Sequence, residues 1–301
     1  MLFVRQRLLL SLLDSLGGSV ASTDFKKLLF LYATEWEQEQ SYEFVPYKFG
    51  CFSFTSYADK RKLVEQGFLN EAVEQGEERW ELSETGCHEA ARARPLSERT
   101  RRFVAANVER GDALIRKVYL CHPYYATRSE ILKRILPSAN ERQKVEEARP
   151  ALQPPGLTTI GYEGRSLENY LNTLLRDSVT LLCDVRRNPL SRKYGFAKRT
   201  LSNACEKVGI RYEHLPELGI ESEERQKLKT QDDYDALFAR YERDSLPRQT
   251  AALGKIRDWI LKDNQRVALT CFEARHCQCH RHCVAEALEQ SGIPSLTPKH
   301  L

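Results

Sequence analysis

The stretch Cys271-Phe-Glu-Ala-Arg-His-Cys-Gln-Cys-His-Arg-His-Cys283 holds four cysteines, three histidines, two arginines and a glutamate. Before it runs Arg266-Val-Ala-Leu-Thr-Cys-Phe272, short, apolar and rich in strand formers. After it runs Val284-Ala-Glu-Ala-Leu-Glu-Gln290, a run of good helix formers. The segment reads as strand, tight loop, helix. In an open α/β sheet that junction lies at the carboxyl end of a strand, where ligands bind. The first-turn N–H groups of a helix attract anions. Arg281 at this place reads as a phosphate or carboxylate clamp, because its fork can engage two oxygens at once.

The same alternation extends back to residue 157. Leu157–Tyr162 reads as a strand, followed by a helix capped by Ser166 with Leu167, Tyr170, Leu171, Leu174 and Leu175 on one face. Val179–Val185 reads as a buried strand, and Lys198–Val208 as a helix stopped by Gly209. Ile210–Leu215 is a third strand. A helix is expected within the polar segment 220–245, and a long one over Leu246–Leu261. The expectation is an α/β domain over 157–301, with a mostly parallel sheet covered by helices on both faces. Pro150–Gly156, containing Pro154-Pro155-Gly156, is the clearest linker.

Each strand ends in a polar cluster: Gly161-Tyr-Glu-Gly-Arg-Ser166, Asp184-Val-Arg-Arg-Asn-Pro-Leu-Ser-Arg192, His214-Leu-Pro-Glu-Leu-Gly219 and the cysteine loop. In a parallel sheet all four meet at one edge. Asp184 reads either as a base or as half of a structural Asp–Arg pair. Glu163 is a second carboxylate, and His214 either a proton carrier or a packed histidine. Tyr162, Arg186, Arg187, Arg192, Glu217, Glu273, His280 and Arg281 complete the expected ligand or phosphate site. Such a set suits a nucleotide, a phosphorylated sugar or a nucleic-acid group, and leaves hydrolysis at phosphorus and at a glycosidic bond both open.

These four blocks, Gly161-Tyr-Glu-Gly, Asp184–Arg192, Tyr212–Gly219 and Cys271-Phe-Glu with Cys279-His-Arg281, resemble the signatures of the domain-of-unknown-function family 488 over about residues 157–292. The resemblance implies a single α/β domain of a bacterial or archaeal, intracellular protein, and leaves its chemistry open. Cys277 and Cys283 are additions to that pattern.

Zinc is the second expectation for the loop, with Cys271, Cys277, Cys279 and Cys283 as the ligand set. A reactive thiol is a further reading, since Cys271 at a strand end or Cys279 at a helix start beside Arg281 would have a lowered pKa. The bland reading is that the cysteines pack under the loop.

The N-terminal part has a different pattern. Residues 6–16 carry leucines at helical spacing, which favours an amphipathic first helix over an export leader. A second helix carries Phe25, Leu28, Leu29 and Tyr32 on its apolar face. Ser56–Gln66 reads as a helix ended by Gly67, then come Phe68-Leu69, a turn around Glu74–Glu77, and Arg79-Trp-Glu-Leu-Ser-Glu-Thr-Gly86. This order resembles winged-helix domains over residues 1–90. Pro46-Tyr-Lys-Phe-Gly50 with the helix before it resembles Panacea and SocA-like domains, which implies a DNA or protein partner and a setting in phage defence or a toxin–antitoxin pair. Lys26, Lys27, Lys48, Lys60, Arg61 and Lys62 form the expected phosphate-facing set. Residues 91–150 read as a helical connector.

The chain has 301 residues, 41% hydrophobic and 29% charged, and net charge +4. This excludes a disordered chain, and no apolar run approaches the ~20 residues that span a bilayer. Nine cysteines, four of them crowded into one loop, fit reduced thiols and the cytoplasm better than a disulfide framework. The function expected is that of a nucleic-acid-associated protein: the N-terminal module binds DNA and the α/β domain binds or processes a nucleotide or nucleic-acid group. Its rivals are a non-catalytic, ligand-sensing regulator and a zinc or redox sensor built on the cysteine loop.

Overall fold

The computed structural model describes residues 2–74, 76–221, 223–225, 228–291 and 297–301. The chain divides into two compact units, Met1–Arg149 and Pro150–Leu301. None of the described helices is long and apolar enough to cross a membrane.

The first unit runs α1 (Val4–Ser15), β1 (Ser19–Ala21), α2 (Ser22–Leu31), β2 (Val45–Tyr47), β3 (Gly50–Phe52), α3 (Phe54–Glu65), β4 (Leu69–Glu74), β5 (Glu77–Leu82), α4 (Glu84–Arg92), α5 (Arg94–Ala106), α6 (Gly111–Cys121), α7 (Leu132–Ile135) and α8 (Ala139–Glu147). Strands β1, β5 and β4 form an antiparallel sheet in that order, and β2 pairs with β3 as a separate hairpin. The turn expected at Glu74–Glu77 includes Gln75, which lies outside the described residues. Trp80 on β5 is fully buried, its ring 4.6 Å from that of Phe25 on α2. Burying such a side chain stabilises the fold by about 1.5–3 kcal/mol. The core continues through Phe103, Leu114, Val118, Tyr119, Leu136 and Val145. Residues 91–149 are therefore no connector: their apolar stripes complete the core that the first 90 residues begin.

The basic set of this unit splits by burial. Lys27 is buried, and its Nζ donates to the Cys51 carbonyl at 3.3 Å. Lys60 is buried too, with its Nζ 2.5 Å from Glu71 and 2.6 Å from Glu78. Neither faces a phosphate. The stems of these lysines cover apolar surface while their heads find local acceptors. Lys26 is half-buried, and burial pulls its pKa down to about 8. Lys48, Arg61 and Lys62 are exposed.

The second unit runs β6 (Gly156–Gly161), α9 (Leu167–Arg176), β7 (Leu181–Asp184), α10 (Lys198–Lys207), β8 (Arg211–His214), α11 (Gln231–Arg240), α12 (Thr250–Leu261), β9 (Arg266–Cys271), α13 (Arg281–Gln290) and β10 (Lys299–His300). Its five strands form one sheet, ordered β10-β6-β9-β7-β8, with every pairing parallel. All six residues of β6 are buried, as expected for a parallel strand covered on both faces. One face packs Leu157, Leu181, Leu269 and Val267 under Leu237, Ile256, Ile260, Val284 and Leu288 of α11, α12 and α13. On the other, Tyr170 of α9 donates its hydroxyl to Thr270 of β9 at 2.7 Å.

Local chemistry sets the boundaries. The Ser166 hydroxyl accepts the Asn169 N–H at 2.9 Å and starts α9. Gly209, with φ +71°, ends the turn after α10, and Ile210 N–H returns to the Cys205 carbonyl at 2.9 Å. The long helix expected from Leu246 begins only at Thr250. Leu246–Arg248, containing Pro247, makes a single 3-10 turn instead, because proline supplies no N–H to continue the ladder. The helix expected in 220–245 is α11, prolonged by one wider turn at Tyr241–Ser245.

Candidate functional site

The carboxyl ends of β6, β7, β8 and β9 lie side by side. Glu163 N–H donates to the Phe272 carbonyl at 2.9 Å, Val185 N–H to the Thr270 carbonyl at 3.2 Å, and Leu215 N–H to the Asp184 carbonyl at 3.0 Å. The four polar clusters are thus neighbours. Gly161 makes the closest of these junctions: a Cβ there would sit 1.8 Å from the Glu273 carbonyl oxygen. The cysteine loop can cross β6 only because position 161 has no side chain.

Most of the expected acid–base residues are engaged in holding this edge together. Asp184 is fully buried. Its carboxylate accepts Arg186 Nε at 2.8 Å, Arg186 Nη2 at 2.5 Å, the Arg186 N–H at 3.1 Å and the Tyr212 hydroxyl at 2.6 Å. Arg186 further donates to the Tyr162 hydroxyl at 3.0 Å and the Phe196 carbonyl at 2.9 Å. Burial alone would lower the Arg186 pKa, but its bonds to Asp184 outweigh that and raise it. Burial and then the Asp184 charge push the Tyr212 phenol far up. A carboxylate so saturated has no lone pair left for a substrate proton. Asp184 and Arg186 form a buried ion pair, which favours the second of the two readings open for Asp184.

His214 and Arg281 are engaged in the same way. His214 Nδ1 lies 3.0 Å from Lys198 Nζ, which can only donate, so its Nε2–H donates to the Arg186 carbonyl at 2.9 Å. The ring bridges the start of α10 and the loop after β7. Arg281 is buried, donating to the Glu273 carbonyl at 2.5 Å, the Ala274 carbonyl at 3.0 Å and the Thr159 hydroxyl at 3.4 Å. These bonds clamp its own loop. Glu163 is exposed, yet its carboxylate accepts the Ala274 N–H at 2.9 Å. Arg187 pairs with Glu221 at 2.7 Å, and Glu217 is exposed nearby on the 3-10 turn Pro216–Leu218.

A cavity of about 370 Å³ opens beside this scaffold. Tyr162, Arg186, Arg192 and Glu273 of the expected set line it, together with Asn188, Leu190, Ser191, Lys193, Cys271 and Phe272. Arg192 is exposed, and Lys193 Nζ donates to the Tyr162 carbonyl at 2.9 Å. Burial lowers the Lys193 pKa somewhat, against the pull of Glu163. The Tyr162 ring stacks on Phe196 with centroids 4.3 Å apart, and Phe272 meets the edge of Tyr162 at 5.3 Å. The cavity lining therefore holds three basic side chains, of which Arg186 is already bound to Asp184, one carboxylate, Glu273, two aromatic rings and small polar groups. Lys193 and Phe272 escaped the sequence reading. Their signal was adjacency: Lys193 extends the Asp184–Arg192 block by one residue, and Phe272 follows the last core residue of its strand.

The cysteines sort into separate groups. The ligand atoms of Cys271, Cys279 and His280, all buried, lie within 4.8 Å of one another, as do those of Glu242, His282 and Cys283. Cys277 is exposed on a 3-10 turn. The set Cys271, Cys277, Cys279 and Cys283 is thus not assembled, because Cys283 lies a turn along α13 and faces Glu242. Burial pushes the thiols of Cys279 and Cys283 up, the reverse of the lowered pKa a reactive thiol would need.

No curated protein and no solved structure matches the chain. Residues 166–288 match a family model, and the match takes in the Asp184–Arg192, Tyr212–Gly219 and Cys271–Arg281 blocks while stopping short of Gly161–Glu163. The matched family is described as Domain of unknown function DUF488.

Proposed function

We propose that the C-terminal unit binds a phosphate-bearing ligand, a nucleotide or a nucleic-acid group, in the cavity at the carboxyl edge of its sheet. The observation that carries this reading is the cavity itself, whose lining includes Arg192, Lys193 and Phe272. Cations take the phosphate, an aromatic face takes a base, and Asn188 and Ser191 supply hydrogen bonds. Its position at the strand ends is where open α/β sheets hold ligands. Binding without turnover is favoured over hydrolysis, because Asp184, His214 and Arg281 are spent on the scaffold. This is the ligand-sensing regulator rather than the enzyme.

In this reading the N-terminal unit delivers the output. Its order α1-β1-α2, α3, β4, β5, with the sheet ordered β1-β5-β4 and the β2–β3 hairpin before the third helix, supports reading this unit as a winged helix. Arg61 and Lys62 on the exposed side of α3 would meet DNA phosphates, in the cytoplasm of a bacterium.

Titration of a fluorescent mononucleotide and a short single-stranded oligonucleotide into wild type and an Arg192→Ala/Lys193→Ala double variant tests the ligand reading. A charge-assisted hydrogen bond contributes about 1.5–3 kcal/mol, so the double variant should bind at least about tenfold more weakly. Equal binding by both proteins would remove the cavity from the account.

A further inference from the structure

We propose that Cys271, Cys279 and His280 form a zinc site in the C-terminal unit, independent of the ligand reading above. The last residue of β9 and the two residues before α13 bring two sulfurs and one imidazole nitrogen together in the interior. Cys271 Sγ and His280 Nδ1 are 3.8 Å apart. On a tetrahedral zinc ion, with bonds near 2.3 Å to sulfur and 2.0–2.1 Å to nitrogen, such a pair is separated by about 3.6 Å. This pair therefore needs little movement to accept the ion, and Cys279 Sγ lies within 4.8 Å of both.

The imidazole is set for the task. His280 Nε2 is 3.0 Å from the Val185 carbonyl, which can only accept. The proton is thereby fixed on Nε2, and the Nδ1 lone pair is left to face Cys271. A ring nitrogen held in this way by a backbone carbonyl is the usual outer partner of a metal-bound histidine. The frame is rigid as well. Arg281, next to His280, ties α13 to the Glu273 and Ala274 carbonyls. Two thiols and an imidazole select zinc over magnesium or calcium, which want oxygen ligands.

On binding, each thiol gives its proton to solvent, so one zinc ion releases two protons and leaves a neutral centre of two thiolates, one imidazole and Zn²⁺. The Glu273 carboxylate lies 3.4 Å from Cys271 Sγ, and it or a water would close the fourth position. Glu242, His282 and Cys283 form a second group of three, but Glu242 is exposed and His282 half-buried, so it lacks the enclosure of the first.

The test uses the full chain. Wild type, stripped of metal and reloaded with zinc, should hold one ion per chain after desalting. Its cobalt form should show thiolate-to-cobalt charge transfer and the intense visible bands of a tetrahedral ion. Cys271→Ser, Cys279→Ser and His280→Ala should each lose the ion. Cys277→Ser and Cys283→Ser should keep it. Because ligand variants of a buried site can fail to fold, the cobalt spectrum of wild type stands as the deciding measurement. Substoichiometric zinc, a cobalt spectrum without thiolate charge transfer, or loss of the ion in Cys283→Ser with retention in Cys271→Ser would overturn the proposal.

Discussion

Asp184 shows how one residue type at one place supports two roles. A carboxylate at a strand end beside two arginines is either a base or a loop anchor, and both use the same donors and acceptors. Only burial separates them. With four hydrogen bonds on the Asp184 carboxylate and no exposure, the anchor role wins. Asp184→Asn should therefore destabilise the C-terminal unit by about 3–5 kcal/mol, the cost of leaving Arg186 buried without its counter-charge. Denaturant unfolding measures this, and a loss under about 1 kcal/mol would refute the anchor role. Lys26 makes a second residue-scale case. Burial holds its pKa near 8, below the 10.5 of a free lysine. Below pH 8 it is charged in both folded and unfolded chains, and the folded chain bears the desolvation. As pH rises from 8 to 10.5 the folded chain has released a proton that the unfolded chain keeps, so stability rises over that window. Lys26→Met should be more stable than wild type at pH 7, with an advantage that shrinks across pH 8 to 10.5. An advantage that is flat with pH would contradict the assignment.

At the scale of elements, the strands and helices of the C-terminal unit were legible because each carries its own periodicity and stop signal: Ser166 before α9, Gly209 after α10, and apolar runs at β7 and β9. Strand β10 was not legible. Two residues, Lys299 and His300, hold no pattern, and only their pairing with β6 makes them a strand. The crossing of the cysteine loop over β6 was likewise invisible, since a glycine in sequence does not reveal what passes above it. Two substitutions separate these cases. Gly161→Ala places a methyl group 1.8 Å from the Glu273 carbonyl and should destabilise by about 1–3 kcal/mol as the loop is forced away. Gly254→Ala, within α12 with open space around it, should stabilise by about 0.5–1 kcal/mol, because alanine loses less freedom on entering a helix. Thermal melts of the two variants should move in opposite directions. A shared direction would show that one of these environments is misassigned.

For the whole molecule, the division of labour rests on the two units having separate cores. The linker was legible from its prolines, and residues 151–155 are exposed. Limited proteolysis should cut there first and leave two resistant fragments; a first cut inside either unit would contradict their independence. The extent of the first unit was not legible. Residues 91–149 are so charged on their outer faces that their buried stripe, Phe103, Leu114, Val118 and Tyr119, reads as a spacer until its packing is seen. The candidate site was legible as a place and less so as a list. The strand ends met, yet several residues chosen for chemistry turned out to hold the loops, and the cavity opened beside them at Arg192, Lys193 and Phe272. Whether this cavity receives a phosphate is decided by a crystal structure of the chain with a nucleoside monophosphate. Phosphate oxygens should lie within hydrogen-bond reach of the Arg192 and Lys193 side chains, with the base against Phe272. A phosphate bound elsewhere, or an empty cavity at saturating nucleotide, would contradict it.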